Sequence, residues 1–216
     1  MMNKRALFMT FEGIEGCGKT TQAKLLVETF RKLNIPVMLT REPGGTKIGD
    51  QIRKILLHPE NTDLTPLAEL LLYEASRAQH VHQVILPNLQ SGIHVLCDRY
   101  GDASIAYQGV GRDLTVRLVR DANRLATGGL QPDVTILIDV DPEIGLSRAR
   151  IRNLKFDFAL AEGRFEEEDL LFHRKVREGY LRLAQEAPDR IRVIDGNSGL
   201  EEVSQQIQEI VLPLFG

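Results

Sequence analysis

Gly13-Ile14-Glu15-Gly16-Cys17-Gly18-Lys19-Thr20 constrains this chain more than any other stretch, because it fits G-x-x-x-x-G-K-[ST], the loop that wraps a nucleotide's phosphates. Glycines let the backbone approach a polyphosphate closely and aim successive N–H groups at its oxygens. The flanks supply the required context. Ala6 to Phe11 is an apolar, β-prone run, and Ala23, Leu26, Val27 and Phe30 recur at helical spacing behind the loop. A helix starting there adds a partly positive N-terminus. Lys19 has the length to reach the β- and γ-phosphates, and the Thr20 hydroxyl can ligate Mg²⁺. The pattern predicts a strand, a glycine loop and a helix that bind a nucleoside triphosphate through Gly13, Glu15, Gly16, Cys17, Gly18, Lys19, Thr20 and Thr21.

The chain has 216 residues, 43% hydrophobic and 26% charged, a size and composition that suit one soluble α/β domain spanning 1–216 and also leave room for two small ones. A net charge of −3 gives no global pull toward nucleic acid or an anionic membrane. No apolar run approaches the ~20 residues of a membrane helix. The first apolar stretch meets the loop at Gly13 and is too short and wrongly flanked for a signal peptide. Two cysteines, Cys17 and Cys97, form no metal-spaced cluster, so a reduced, cytoplasmic setting is expected.

Four more short apolar runs read as strands: Pro36–Thr40, Ile93–Cys97, Val134–Ile138 and Arg190–Ile194. Helical patterns fall between them, at 47 to about 57 with Thr46 as cap, Pro66 to Leu86, and to about Ala126 with Asp113 as cap. Further helices run from Pro142 to about Arg152, from Glu166–Asp169 to about Gln185, and from Leu200 to about Leu214. Strands alternating with crossover helices predict a parallel, doubly wound sheet. Ligands bind such sheets at the strands' C-terminal ends. Arg41, Glu42 and Pro43 follow one such end, and Asp98-Arg99-Tyr100 follows another. Asp98 stands where a phosphate-loop enzyme helps hold Mg²⁺, and Arg99 is a natural phosphate fork. Tyr73 and Arg77 share a helix face at i, i+4. Ser104 to Gly109, with Tyr107 and Gln108, reads as a polar-aromatic loop, suited either to a base or sugar or to a plain solvated connection. Arg148, Arg150, Arg152, Lys155 and Arg164 flank an aperiodic stretch, 153–163, which reads as a lid over about 150–165 that brings cationic charge to the phosphates.

With these residues in hand, the chain resembles the thymidylate kinases over nearly its whole length. The matching marks are Phe11 to Thr20, Arg41-Glu42-Pro43-Gly44-Gly45-Thr46, Arg77, Asp98-Arg99-Tyr100, Tyr107-Gln108-Gly109 and Gly163-Arg164-Phe165-Glu166. The resemblance implies the nucleoside monophosphate kinase fold, with strand order 2-3-1-4-5. It implies transfer of the ATP γ-phosphoryl to dTMP with Mg²⁺ (held through Thr20 and Asp98), and a homodimer packed through helices. It also implies roles by position. Tyr73 would stack on thymine, Arg77 would hydrogen-bond the base, and Ser104 and Gln108 would line its pocket. Tyr107 would lie against the deoxyribose, Glu15 would contact the sugar or phosphate end, and Arg99 would bind the acceptor phosphate. Glu42 and Pro43 belong to the same acceptor side. The loop's variable positions, Ile14 to Cys17, contain no Arg, so the chain is similar to the members whose catalytic arginine lies in the lid. Arg164 is the first candidate and Arg152 the second, beside Lys19 and Arg99.

Two other readings fit some of these marks. One is a kinase for dUMP, UMP or another monophosphate. The other is a nucleotide-dependent switch, because Asp98-Arg99-Tyr100-Gly101 matches the D-x-x-G of GTPases, although no N-K-x-D motif occurs.

Overall fold

Short apolar runs bounded by turn residues become five strands. The computed structural model describes residues 5–156 and 163–215. The strands are β1 (Phe8–Glu12), β2 (Val37–Arg41), β3 (His94–Asp98), β4 (Val134–Asp139) and β5 (Ile191–Asp195). Every neighbouring pair is parallel, in the order β2-β3-β1-β4-β5. A parallel sheet needs crossovers that cover both faces, so its inner strands bury nearly every residue. All five residues of β1 are buried, as are the first five of β4, whereas the edge strand β5 exposes Arg192 and Val193. The register aligns Phe11 with Asp98 on one side and with Ile136 on the other, and Arg41 with Asp98. The C-terminal ends of β1, β2 and β3 therefore form one rim.

The helices are α1 (Lys19–Lys32), α2 (Lys47–Leu57), α3 (Pro66–His80), α4 (Leu86–Gln90), α5 (Gly101–Ser104), α6 (Val116–Thr127), α7 (Pro142–Phe156), α8 (Leu170–Glu186) and α9 (Leu200–Val211). Among the described residues none is long and apolar enough to cross a membrane. Thr46 caps α2 as expected, its hydroxyl accepting from the Gly49 amide at 2.9 Å.

Local readings needed correction in four places. The helix from Pro66 ends at His80, widens into a π turn at Val81–Ile85, and resumes as α4. Ser104 to Gly109 is no loop: α5 runs into a second π segment, Ile105–Gly111, that packs tightly on α8. A Cβ at Gly179 would lie 3.1 Å from Val110, and one at Gly111 only 2.8 Å from Phe172. Asp113 does not cap α6, because its backbone is left-handed (φ 57°) and Thr115 supplies the extended turn before the helix. Glu166 and Glu167 belong to a separate 3₁₀ turn, Arg164–Glu167, and Asp169 caps α8 by accepting from the Phe172 amide at 2.7 Å.

Candidate active site

The glycine loop sits between the end of β1 and the start of α1, with Gly13, Gly16 and Gly18 all at positive φ. Close packing demands glycine at position 16 as firmly as φ does. A Cβ there would lie 1.9 Å from the Gly145 carbonyl oxygen and 3.0 Å from the Ala149 amide, so α7 lies directly against the loop. Lys19 lies along the loop, its Nζ donating to the carbonyls of Gly13 at 3.0 Å and Ile14 at 2.8 Å, with Cys17 Sγ at 3.4 Å. Cys17 and Cys97 are free and buried. The Thr20 hydroxyl donates to Asp98 Oδ2. These adjacent oxygens are hard donors, and among the described residues no group of three His, Cys, Asp or Glu is arranged to hold a metal ion by itself. Mg²⁺, which takes one or two protein oxygens and fills its shell with water and phosphate, fits that set.

Arg99, just past β3, has a left-handed backbone (φ 72°), and its amide donates to the Phe11 carbonyl at 2.9 Å. This turn brings the guanidinium back over the glycine loop. Nη1 donates to the Gly13 carbonyl at 2.9 Å and to the Tyr180 hydroxyl at 3.1 Å, and Nη2 to Glu15 at 2.8 Å and the Tyr107 hydroxyl at 3.0 Å. Tyr107 donates in turn to the Glu15 carboxylate. Burial alone would raise the Glu15 carboxyl, but Arg99 and His173 bring it well below the usual carboxylate range. Glu12, wholly buried beneath, accepts from the Tyr100 amide and the Tyr180 hydroxyl, each at 2.7 Å. Its burial, then nearby Asp102, push its carboxyl up to about 7.

A second cluster forms around Arg77, 1% exposed. Its Nε donates to Glu42 at 2.7 Å, and Nη1 donates to Glu74, Ser104 Oγ and Asn123 Oδ1. Nη2 donates to the Tyr100 carbonyl at 3.1 Å. Burial works to lower the guanidinium's affinity for its proton, and Glu74 and Glu42 more than offset it. His80, between Thr40 and Glu42, holds the carboxylate from the other side. Glu42 leads into a cis peptide bond to Pro43. Gln108 donates its amide to Glu69 at 2.7 Å, and Tyr73 is half-buried on the same helix as Glu69.

The arginines of the expected lid separate. Arg164 is 5% exposed, with Nη2 on Glu69 at 2.7 Å and Nε on the Leu56 carbonyl. Arg152 is on the surface, its Nη2 donating at 2.9 Å to Glu166 in the 3₁₀ turn. Arg148 donates to the Gly196 carbonyl at 3.0 Å. The middle of the expected lid, 157–162, lies outside the described residues.

Sequence reasoning did not single out Glu12, Glu69, Glu74, His80, Asn123, His173 or Tyr180. Some left a signal: His173 and Tyr180 lie on the stripe of Val176 and Leu183 along α8, and Glu69 and Glu74 are acids on the buried side of α3.

The profile of the family described as Thymidylate kinase matches residues 11–207. The chain is 53% identical over 202 residues to a thymidylate kinase of Geobacter sp. (strain M21), covering 94% of this chain and 89% of that protein. It is 54% identical over 202 residues to one of Syntrophotalea carbinolica, covering 94% and 93%. A crystal structure of thymidylate kinase from Ehrlichia chaffeensis is similar with a TM-score of 0.76 at 33% identity, covering 96% of this chain and 99% of that one. With the glycine loop, the parallel sheet in the order 2-3-1-4-5 and these relatives in agreement, the chain belongs to the thymidylate kinase family.

Proposed function

We infer that this protein transfers the γ-phosphoryl group of ATP to dTMP, giving dTDP and ADP. The observation that carries the reading is the meeting of two sites on one rim: the glycine loop with Lys19, and the Arg99–Glu15–Tyr107 cluster beside it. Formation of ADP from ATP that depends on added dTMP tests it.

Phosphoryl transfer asks the protein for alignment and for charge stabilisation. Gly13, Glu15, Gly16, Cys17, Gly18, Lys19, Thr20 and Thr21 form the donor site, with backbone N–H groups and Lys19 meeting the phosphates. Thr20 and Asp98 would hold Mg²⁺, which when bound neutralises charge on the β- and γ-phosphates. Arg99 takes the acceptor phosphate, with Glu15 and Tyr107 against its deoxyribose. Tyr73 stacks on thymine, and Ser104, Gln108, Glu42 and Pro43 border the pocket. Arg77 gives one Nη2 hydrogen to Tyr100 and offers the second to the base.

We assign the cationic charge over the transferring group to α7, with Arg152 ahead of Arg164. Gly145, Ala149 and Arg152 are spaced i, i+4, i+7 and share one helix face. The first two pack on Gly16, so Arg152 continues the face that meets the loop. Arg164, held by Glu69 and Leu56, is a positioning residue that anchors the turn after the lid.

We read the chain as one kinase domain, because all five strands share one sheet, with a lid at about 150–165. A homodimer is supported by large apolar side chains exposed on three neighbouring helices: Ile48 and Ile55 on α2, Leu67 and Leu71 on α3, Leu118 and Leu125 on α6. Two free cysteines suit the cytoplasm.

A further inference from the structure

His173 is the one buried imidazole that faces the glycine loop from α8. It is 0% exposed. Its Nε2 lies 3.0 Å from the carbonyl oxygen of Phe165, in the 3₁₀ turn that follows the lid. Its Nδ1 lies 3.3 Å from Glu15 Oε2. Nδ1 makes no well-aligned hydrogen bond to any described group, although it is buried.

Both neighbours of the ring are acceptors. A carbonyl oxygen has no hydrogen to give, and the Glu15 carboxylate is held ionised against its burial, by Arg99 first. A ring with a proton on Nε2 alone would satisfy Phe165 and turn a lone pair toward a carboxylate. A ring with a proton on each nitrogen satisfies both partners. The charge count agrees. Arg99 and Lys19 already face Glu15, and a further cation beside the carboxylate adds one positive charge toward a dianionic phosphate, so that Arg99 is not spent on Glu15.

We propose that His173 is a positioning residue for the acceptor: doubly protonated, it holds Glu15 from beneath, frees Arg99 for the acceptor phosphate, and ties the glycine loop to the turn behind the lid. This rests on the reading of Glu15 and Arg99 as acceptor contacts. Other groups face the same cluster. Tyr107 comes from the π segment, Lys19 from α1, and the Phe172 ring edge from α8 itself. Glu12 reaches Arg99 from β1 through Tyr180. Since Glu12 titrates near pH 7, a pH profile would mix the two groups, and the decisive readouts are the ring nitrogens and the variants.

The first experiment is a ring-nitrogen NMR spectrum of the intact protein labelled with ¹⁵N-histidine, at pH 7.5. The His173 signals are identified by assigning His58, His80, His82 and His94 through their own substitutions. Two protonated ring nitrogens are expected for His173; a neutral ring protonated on Nε2 alone overturns the proposal. This measurement needs no His173 variant to fold. The second is steady-state kinetics with ATP and dTMP. His173→Phe should raise the dTMP KM about tenfold, the scale of one lost charge-assisted hydrogen bond, with little change in kcat or in the ATP KM. An Asn amide falls near Nδ1 and a Gln amide near Nε2, so His173→Asn should recover more of the dTMP KM than His173→Gln. An unchanged KM in His173→Phe, or better recovery by Gln, overturns the proposal. Glu15→Ala separates this from the parent reading: if it too leaves the dTMP KM unchanged, the assignment of Glu15 to the acceptor fails; if it alone raises KM, the role of His173 fails.

Discussion

Arg99 and Glu12 are joined through a single hydroxyl: Tyr180 accepts from Arg99 Nη1 at 3.1 Å and donates to Glu12 Oε2 at 2.7 Å. The carboxyl under the glycine loop is thus tied to the arginine above it, and its burial raises it from 4.5 to about 7. Between those values the folded chain holds a proton that the unfolded chain releases. The stability this contributes is fully present below pH 4.5 and is lost as pH rises through 7. The size is about 3 kcal/mol by the usual conversion. Glu12→Gln should flatten the dependence: the urea midpoint of the parent falls between about pH 5 and pH 8 by more than that of the variant. Parallel profiles would contradict the assignment.

Arg164 and Arg152 should fail in different ways. Arg164→Ala leaves Glu69, which is 0% exposed, with Arg112 and Gln108 as its remaining partners. Breaking a buried pair costs on the order of 3 kcal/mol, so urea unfolding should shift strongly. Arg152→Ala should leave stability nearly unchanged and lower kcat by about 10³-fold, the low end for removal of an arginine that stabilises the transferring phosphoryl. A large kcat loss in a stably folded Arg164→Ala, with Arg152→Ala unaffected, would return the catalytic role to Arg164.

Removing the acceptor fork should be specific to one substrate. Arg99→Gln should lower kcat/KM for dTMP by about 10²-fold, the scale of a lost bidentate charge-assisted contact, and leave ATP binding largely intact. Titration calorimetry with a non-hydrolysable ATP analogue separates the two. Equal loss for both substrates would place Arg99 in general support of the loop.

The frame was legible because parallel sheets leave plain marks. β1 and β4 are nearly continuous apolar runs, and Gly13, Gly16 and Gly18 stand where backbone conformation or packing admits no side chain. Thr46 followed by a helical pattern marked α2, and its hydroxyl does cap that helix. Buried polar networks left far less trace. Arg77 looks like a surface residue until Glu42, just past β2, and Asn123, on α6, join Glu74 of its own helix around it. The segment after Tyr100 carried turn-like glycines, yet Gly109 and Gly111 lie inside a π segment, where Gly111 serves close packing against Phe172. Asp113 failed as a cap because its left-handed backbone, which no spacing rule reveals, puts the helix start beyond it.

A lone subunit leaves large apolar side chains in water: Leu125 is 87% exposed and Leu71 57%. Burial of these side chains in a homodimer is therefore open to a direct test. Leu71→Glu combined with Leu125→Glu should yield a monomer by sedimentation at micromolar concentration, with the fold retained by circular dichroism. A dimer that survives both charges would move the interface to another face.

The most direct test of the central claim is an acceptor panel under identical conditions, with ATP and Mg²⁺ and with dTMP, dUMP, UMP, dCMP, AMP and GMP offered in parallel. Phosphoryl transfer should require an acceptor, and kcat/KM for dTMP should stand well above all others. Equal turnover of several acceptors would contradict the base pocket around Tyr73, Arg77 and Gln108. Slow ATP hydrolysis that ignores every acceptor would contradict the kinase reading itself.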